Sequence, residues 1–403
     1  MRIKFLFSIV FVCAAFFLSA QNTVRWRNDR TGIYNETGLM KSWPANGPQL
    51  LWHFDGLGRG FTSVTIDSNQ LFVTGETDGR GYLYVLDMDG KLRHKIEYGS
   101  EFTNSYPGAR NAVIPDDGKL YVVSGTMELF CFDMQSLKLL WKKNYAQDFG
   151  AENTRHGWHG TPLIIDEKLI IAPGGKQHNV VALNKATGDI IWSSTGAGDM
   201  SGYGSPIYLS DQQIPQVVFM MADNIIGLDV TNGRMIWSFP HTNRMGEHPN
   251  TPVYSNNMLF FMSAYGKGST MLRLSNGGRS AAKVWELTEL GHQTGHVVKY
   301  GDYIYGPGER TNWYCVDWQT GKIMYSDNTL AVGNIIAADG MLYIYSDRGE
   351  MALVKPDSQK LEVVSRFPVT LGTETHWAHP VIHNGILYIR HGNTLMAYKI
   401  KES

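Results

Sequence analysis

Charge is scarce in this chain of 403 residues: Asp, Glu, Lys and Arg make up 18%, and the formal net charge is −1. With no field of one sign, the sequence has no electrostatic signature of nucleic acid or of an anionic membrane, and neither is an expected partner. Cysteine is nearly missing. The 3 that occur, Cys13, Cys131 and Cys315, are too few for a disulfide scaffold, and no two are adjacent. Hydrolase signatures are missing too. There is no G-x-S-x-G elbow and no H-E-x-x-H pair, and "GLGRG" at 56–60 precedes a strand rather than a helix, so it reads as a turn. Long apolar runs are confined to the start. Arg2 and Lys4 precede an apolar stretch from Phe5 to about Ala20, which has the form of a secretory signal peptide over 1–20, cleaved near Ala20. Cys13 lies inside that run, so a lipid anchor is not expected. No later stretch approaches the roughly 20 residues of a spanning helix. The expectation is export to the periplasm or beyond, as a monomer without a membrane anchor.

What the chain does have is Gly (43), Tyr (20), Trp (11) and a repeated phrase. "NKATGDIIWSS" at Asn184 returns as "DVTNGRMIWSF" at Asp229, "DWQTGKIMYSD" at Asp317 and "DMQSLKLLWKK" at Asp133. Anchored on Asp87, Asp133, Asn184, Asp229, Leu274, Asp317 and Lys355, the copies lie 38 to 51 residues apart, and a last half-copy, "TLMAYKI", ends at Ile400 with Lys399 in the anchor column. A β-rich period of that size is the signature of a propeller with four strands per blade. The Asp or Asn accepts from turn amides, and Gly188, Gly233 and Gly321 supply the positive φ of a tight turn. A column of large side chains follows each turn: Trp141, Trp192, Trp237, Trp285 and Tyr325, suited to docking one blade on the next. The last copy has no outer strand. "PQLLWHF" at 48–54, with Trp52 in the same column, supplies it from the other end. The expected fold is all-β: an eight-bladed β-propeller of four-stranded antiparallel blades over 48–403, closed by the N-terminal strand, after a lead-in segment over 21–47. Cys131 ("LFCFD") and Cys315 ("WYCVD") take matching places in distant copies, so two buried free thiols in different blades are expected.

Candidate site residues cluster where the chain approaches each innermost strand, the tracts that ring one mouth of a propeller's channel. Aligned on Pro162, Pro206, Pro252 and Pro380, the position four earlier holds Trp158, His248 and His376, and His292 joins if His296 aligns with the prolines. Arg110, Arg155, His156, His159, Asn250, Trp377 and His379 lie nearby. Seven of the 13 histidines fall in these tracts. His248, His292 and His376 are expected to face one common mouth. Three readings stay open. The mouth is simply wet; or it binds a small polar ligand, with Trp158 and Trp377 as stacking faces and Arg110, Arg155 and Asn250 as orienting groups; or the pairs "HGWH" and "HWAH" hold a metal. Asp199 reads as a loop cap before it reads as a base, and Glu247 as a solvated loop charge before an ion ligand.

The phrases "ALNKATGDIIW" and "GLDVTNGRMIW" resemble the tryptophan-docking repeat of quinoprotein-like (PQQ-binding-like) propellers, and "WRNDRTGIYNETGLMKSWPANGPQLLW" resembles the opening of exported bacterial members with no assigned activity. The resemblance covers essentially the whole chain after the leader. It implies kinship with the pyrroloquinoline quinone (PQQ) alcohol dehydrogenases and with the propeller lipoprotein of the outer-membrane assembly machinery. The enzymes typically carry vicinal cysteines under the quinone, calcium ligands and an aspartate base. This chain has no Cys-Cys pair. The expectation is a non-catalytic binding or scaffolding propeller with no cofactor, whose partner is a small polar ligand or an envelope protein. The alternative is a PQQ- and calcium-dependent alcohol or sugar oxidoreductase.

Overall fold

Each copy of the repeated phrase folds as the hairpin between the third and fourth strands of a four-stranded antiparallel sheet. In the third sheet, Leu163–Ile165, Lys168–Ile171, Val180–Asn184 and Ile190–Ser194 pair in sequence order. Asn184 Oδ1 accepts from the amides of Ala186 and Thr187 and closes the turn, and Asp317 repeats this with Gln319 and Thr320. The computed structural model describes residues 23–402, which form eight such blades. They begin at Thr65, Ile114, Leu163, Ile207, Val253, Val298, Gly333 and Val381. Blade 8 takes its outer strand from Gln49–Phe54, in register Gln49↔Lys399 and Trp52↔Ala397, so the ring closes as expected and leaves no open edge between first and last blades. The leader read in 1–20 lies outside the described residues. Among the described residues, no helix is long and apolar enough to cross a membrane.

A bulge recurs in all eight blades that the repeated phrase does not reveal. Between the third and fourth strands the register slips just before the Trp column, as at Ala182↔Trp192 followed by Leu183↔Ile190. The slip lets Trp192 face the next blade while Ile191, its chain neighbour, stands exposed. The indoles then dock forward: Trp52 Nε1 donates to Met88 O, Trp141 to Lys185 O, Trp192 to Val230 O and Trp285 to Trp318 O, at 2.9 to 3.3 Å. Trp237 instead donates to Gln216 Oε1 of its own blade, and Gln216 carries the link on to Gly278 O of blade 5. Burying such a ring removes about 150–250 Å² from water, of order 4–6 kcal/mol before entropy is charged. Cys131 and Cys315 are buried free thiols in blades 2 and 6.

The lead-in segment does more than approach the outer strand. It threads the central channel. Val24 exchanges backbone hydrogen bonds with Ile66 of the innermost strand of blade 1. Arg27, Asn28, Asp29 and Arg30 then run at φ of 50°, 44°, 51° and 75°, a left-handed turn closed by Arg30 N–H to Trp26 O and Gly32 N–H to Arg27 O. Ile33–Tyr34 pairs in parallel with Ala337–Ala338 of blade 7. Each non-glycine residue in this conformation costs roughly 1–2 kcal/mol, somewhat less for Asn and Asp. The offset comes from Arg27, buried in the channel, which donates to Ile335 O, Val297 O and His379 Nδ1.

Candidate site at the channel mouth

Above Trp26 the channel opens into a cavity of about 480 Å³, and below it lies a second of about 510 Å³; Trp26 lines both and partitions the channel. Every blade but the seventh contributes to the upper cavity, through the tracts that lead into the innermost strands. Its floor is Trp26, His296 and His379. Trp26 meets the two imidazoles edge-on at 5.4 and 5.6 Å, and the imidazoles stand 4.6 Å apart. One wall is aromatic: Trp377 lies 5.1 Å from both Phe61 and Tyr106. The opposite wall holds Tyr203, Glu247 and Tyr265, and Arg155 and Arg244 stand exposed on the rim.

Hydrogen bonds fix two of the tautomers. Arg27 can only donate, so His379 Nδ1 at 3.0 Å is an acceptor and Nε2 carries the proton. The Tyr203 carbonyl can only accept, so His159 Nδ1 at 2.7 Å carries the proton and Nε2 is a free acceptor. Burial, with Arg27 adding to it, holds His296 and His379 well below the usual histidine range, and His159 is lowered for the same first reason. These rings are neutral at pH 7. Burial also pushes the Glu247 carboxyl up to about 7, against the opposing pull of Arg155. His156 accompanies it, with Nε2 4.0 Å from Glu247 Oε2 and Nδ1 2.7 Å from Ser105 Oγ.

The sequence-derived candidates divide. Arg110, Arg155, His156, His159, His296, Trp377 and His379 line the cavity. Arg110 folds back on its own loop, donating to Tyr106 O and lying over Phe102. Trp158, His248, Asn250, His292 and His376 do not line it, which corrects the expectation that His248, His292 and His376 share the mouth. The column four residues ahead of each strand packs between blades instead. Trp158 is edge-on to Tyr145 at 5.1 Å, against the short helix Tyr145–Phe149 of blade 2. His248 bonds Ser263 Oγ and Ala222 O. His376 bonds Tyr345 Oη and stacks on His391 at 3.6 Å. His292 Nδ1 accepts from Thr294 and Gly295 amides, and Asn250 donates to Gly295 O. Asp199 caps its loop, accepting from the Asp223 amide and Asn224 Nδ2. Glu247 is 6% exposed and faces the cavity, so it is not a solvated loop charge. Sequence reasoning missed Trp26 and Arg27, whose role depends on partners some 270 to 350 residues away.

Among the described residues no three His, Cys, Asp or Glu converge as metal ligands. Among the described residues Glu247 is the one carboxylate lining the mouth, whereas calcium takes 6–8 oxygens. Cys131 and Cys315 lie in separate blades. The donor set therefore does not fit a calcium-bound quinone held in the manner the resemblance implies.

The architecture and its docking tryptophans define an eight-bladed propeller of the quinoprotein type. Residues 105–327, more than half of the chain, match the PQQ_2 family, described as outer membrane protein assembly factor BamB, and the chain belongs to that family. It is 24% identical over 162 residues to the quinoprotein ethanol dehydrogenase of Pseudomonas putida and 26% over 145 residues to that of Pseudomonas aeruginosa. Those matches cover 36% and 33% of this chain but 26% and 23% of the enzymes, so the chain matches about a quarter of their length. Among solved structures it superposes on BamB from Moraxella catarrhalis with TM-score 0.63 at 13% identity, covering 88% of this chain and 98% of that one. The quinohemoprotein alcohol dehydrogenase ADHIIG of Pseudomonas putida HK5 gives 0.62 at 12% identity, with 93% and 79% covered. At these identities the likeness shows the fold alone.

Proposed function

We propose that the protein is an exported, non-catalytic binding propeller that holds a small polar ligand in the channel mouth. One observation carries this reading. Polar atoms of three lining residues stand open to the cavity with no hydrogen-bond partner in the protein: Nε2 of His379, Nε2 of His159 and Oε2 of Glu247, which lies 4.0 Å from His156 Nε2. A neutral imidazole nitrogen has a fixed sense, donor on His379 and acceptor on His159, so the set offers a polar guest directional partners. A protein-scaffolding role in the envelope is the second reading, supported by family membership. Thermal unfolding with sugars, amino acids, dicarboxylates, zinc or copper, and PQQ plus calcium tests the first reading. A ligand at a hundred times its Kd stabilises by about 2.7 kcal/mol. A rise with a small polar compound that vanishes in His159→Phe supports the mouth. A rise only with PQQ plus calcium, accompanied by dye reduction with an alcohol, overturns the non-catalytic reading.

A further inference from the structure

We infer that the guest is a saccharide, seated with ring hydroxyls on the imidazole floor and one ring face against Trp377. The inference rests on the mouth being a binding site and names what it binds. The floor offers hydrogen bonds of both senses without a net charge to match. His379 presents an Nε2–H donor and His159 an Nε2 acceptor, because Arg27 and the Tyr203 carbonyl fix their other nitrogens. His296, 4% exposed, backs them with neither nitrogen reaching the open volume. A hydroxyl both donates and accepts, so adjacent hydroxyls satisfy such a set in either order. A carboxylate only accepts and an ammonium only donates, and each would leave one of these nitrogens unpaired. At the floor a charged guest would be desolvated beside neutral rings, because Arg27 is turned toward two backbone carbonyls and His379; the other arginines stand higher, Arg155 and Arg244 exposed on the rim and Arg110 folded on its own loop. The upper wall supplies the other half of the recognition. Trp377 and Tyr106 are broad, partly exposed aromatic surfaces, suited to the C–H face of a pyranose, which is apolar where its hydroxyls are equatorial. Glu247, largely protonated below pH 7, adds a group that donates to a hydroxyl when neutral and accepts from one when ionised. A volume of about 480 Å³ lies within the range of small-molecule sites and is open upward, so it receives one end of a chain of sugars.

The test is a glycan array probed with the whole protein, followed by tryptophan-fluorescence titration with the disaccharides maltose, cellobiose and N,N′-diacetylchitobiose, and with citrate and a dipeptide as charged comparators. The expected result is binding of at least one saccharide. Trp377→Ala and His159→Phe should each weaken it by tenfold or more, while Trp377→Phe retains most of it. Trp377→Phe guards against a variant that fails to fold, and Tyr106→Ala, at an exposed position of the same wall, should weaken binding without loss of stability. If citrate or the dipeptide binds and loses affinity in the same variants while no glycan does, the ligand class is overturned and the binding mouth stands. If no probe of either class binds, or if binding ignores every mouth substitution, the mouth reading falls with it.

Discussion

The indole of Trp192 stands on Gly233 of the following blade. Its Nε1–H donates to Val230 O at 3.0 Å, and a Cβ added at Gly233 would lie 2.4 Å from the ring. Gly90 under Trp52, Gly188 under Trp141 and Gly321 under Trp285 repeat the relationship. The glycine of the turn thus serves twice, once for its φ of 74° and once because only a hydrogen fits beneath the ring.

The two roles separate by comparison. Gly79 has a φ of 78°, and a Cβ added there would meet nothing within 4 Å. Alanine there should cost only the left-handed strain, about 1–2 kcal/mol. Gly233→Ala should cost that and about 1–3 kcal/mol more for overpacking against Trp192. Denaturant unfolding of both variants checks it, and equal costs would mean that the glycine matters only for its turn.

The turn glycine and the ring column were each legible in the sequence because both recur at fixed spacing, and that periodicity also set the blade count and the closing strand at Trp52; that each ring stands on the glycine of the next blade was not, because the two lie in different copies. The bulge before each ring was not legible, since a slipped register leaves the residue pattern unchanged. The mouth was half legible. Histidines gathered in the right tracts, but His248 and His376 turn between blades while His159 and His379 turn inward, a matter of strand twist and loop path. Glu247 was misread because a loop acid is usually solvated, and here the loops of several blades cover it.

Arg27 should hold the channel segment in place. Arg27→Met removes three hydrogen-bond partners and a buried charge at once. Against the saved desolvation we expect a net loss of about 2 kcal/mol. Backbone amides over 24–34 should lose hydrogen-exchange protection before those of the blades do. Unchanged protection there would show that the strand pairings of Val24 and Ile33–Tyr34 suffice.

Stability should fall on acidification between about pH 6.5 and 4. Burial holds His248, His292 and His376 down to about 4 and His241 to about 2. The unfolded chain, with imidazoles near 6.5, binds more protons across this window, so stability is complete above it and is lost as pH falls. Glu101 and Glu247, pushed up to about 7 by burial, work in the opposite sense: the native state holds their protons, and their contribution is lost as pH rises through 7. The histidines outnumber them. A Tm that rises steadily from pH 6.5 to 4 would contradict this balance.

Glu247→Gln isolates one of these groups. Above pH 7 the native carboxylate is buried with Oε1 unpartnered, so the amide should be the more stable form, by on the order of 1 kcal/mol at pH 8.5. At pH 5, where Glu247 is protonated, the difference should disappear. A gap independent of pH would place Glu247 in a solvated setting.

A guest in the mouth should pair the open Nε2 atoms of His379 and His159 and Oε2 of Glu247. A crystal structure of the protein soaked with the saccharide that binds in titration would show this outright. The expected result is a sugar ring against Trp377 with hydroxyls within hydrogen-bond distance of His159 and His379. A cavity closed by its own side chains, with His159, Glu247 and His379 bonded to one another or to the backbone and the sugar elsewhere, would contradict it.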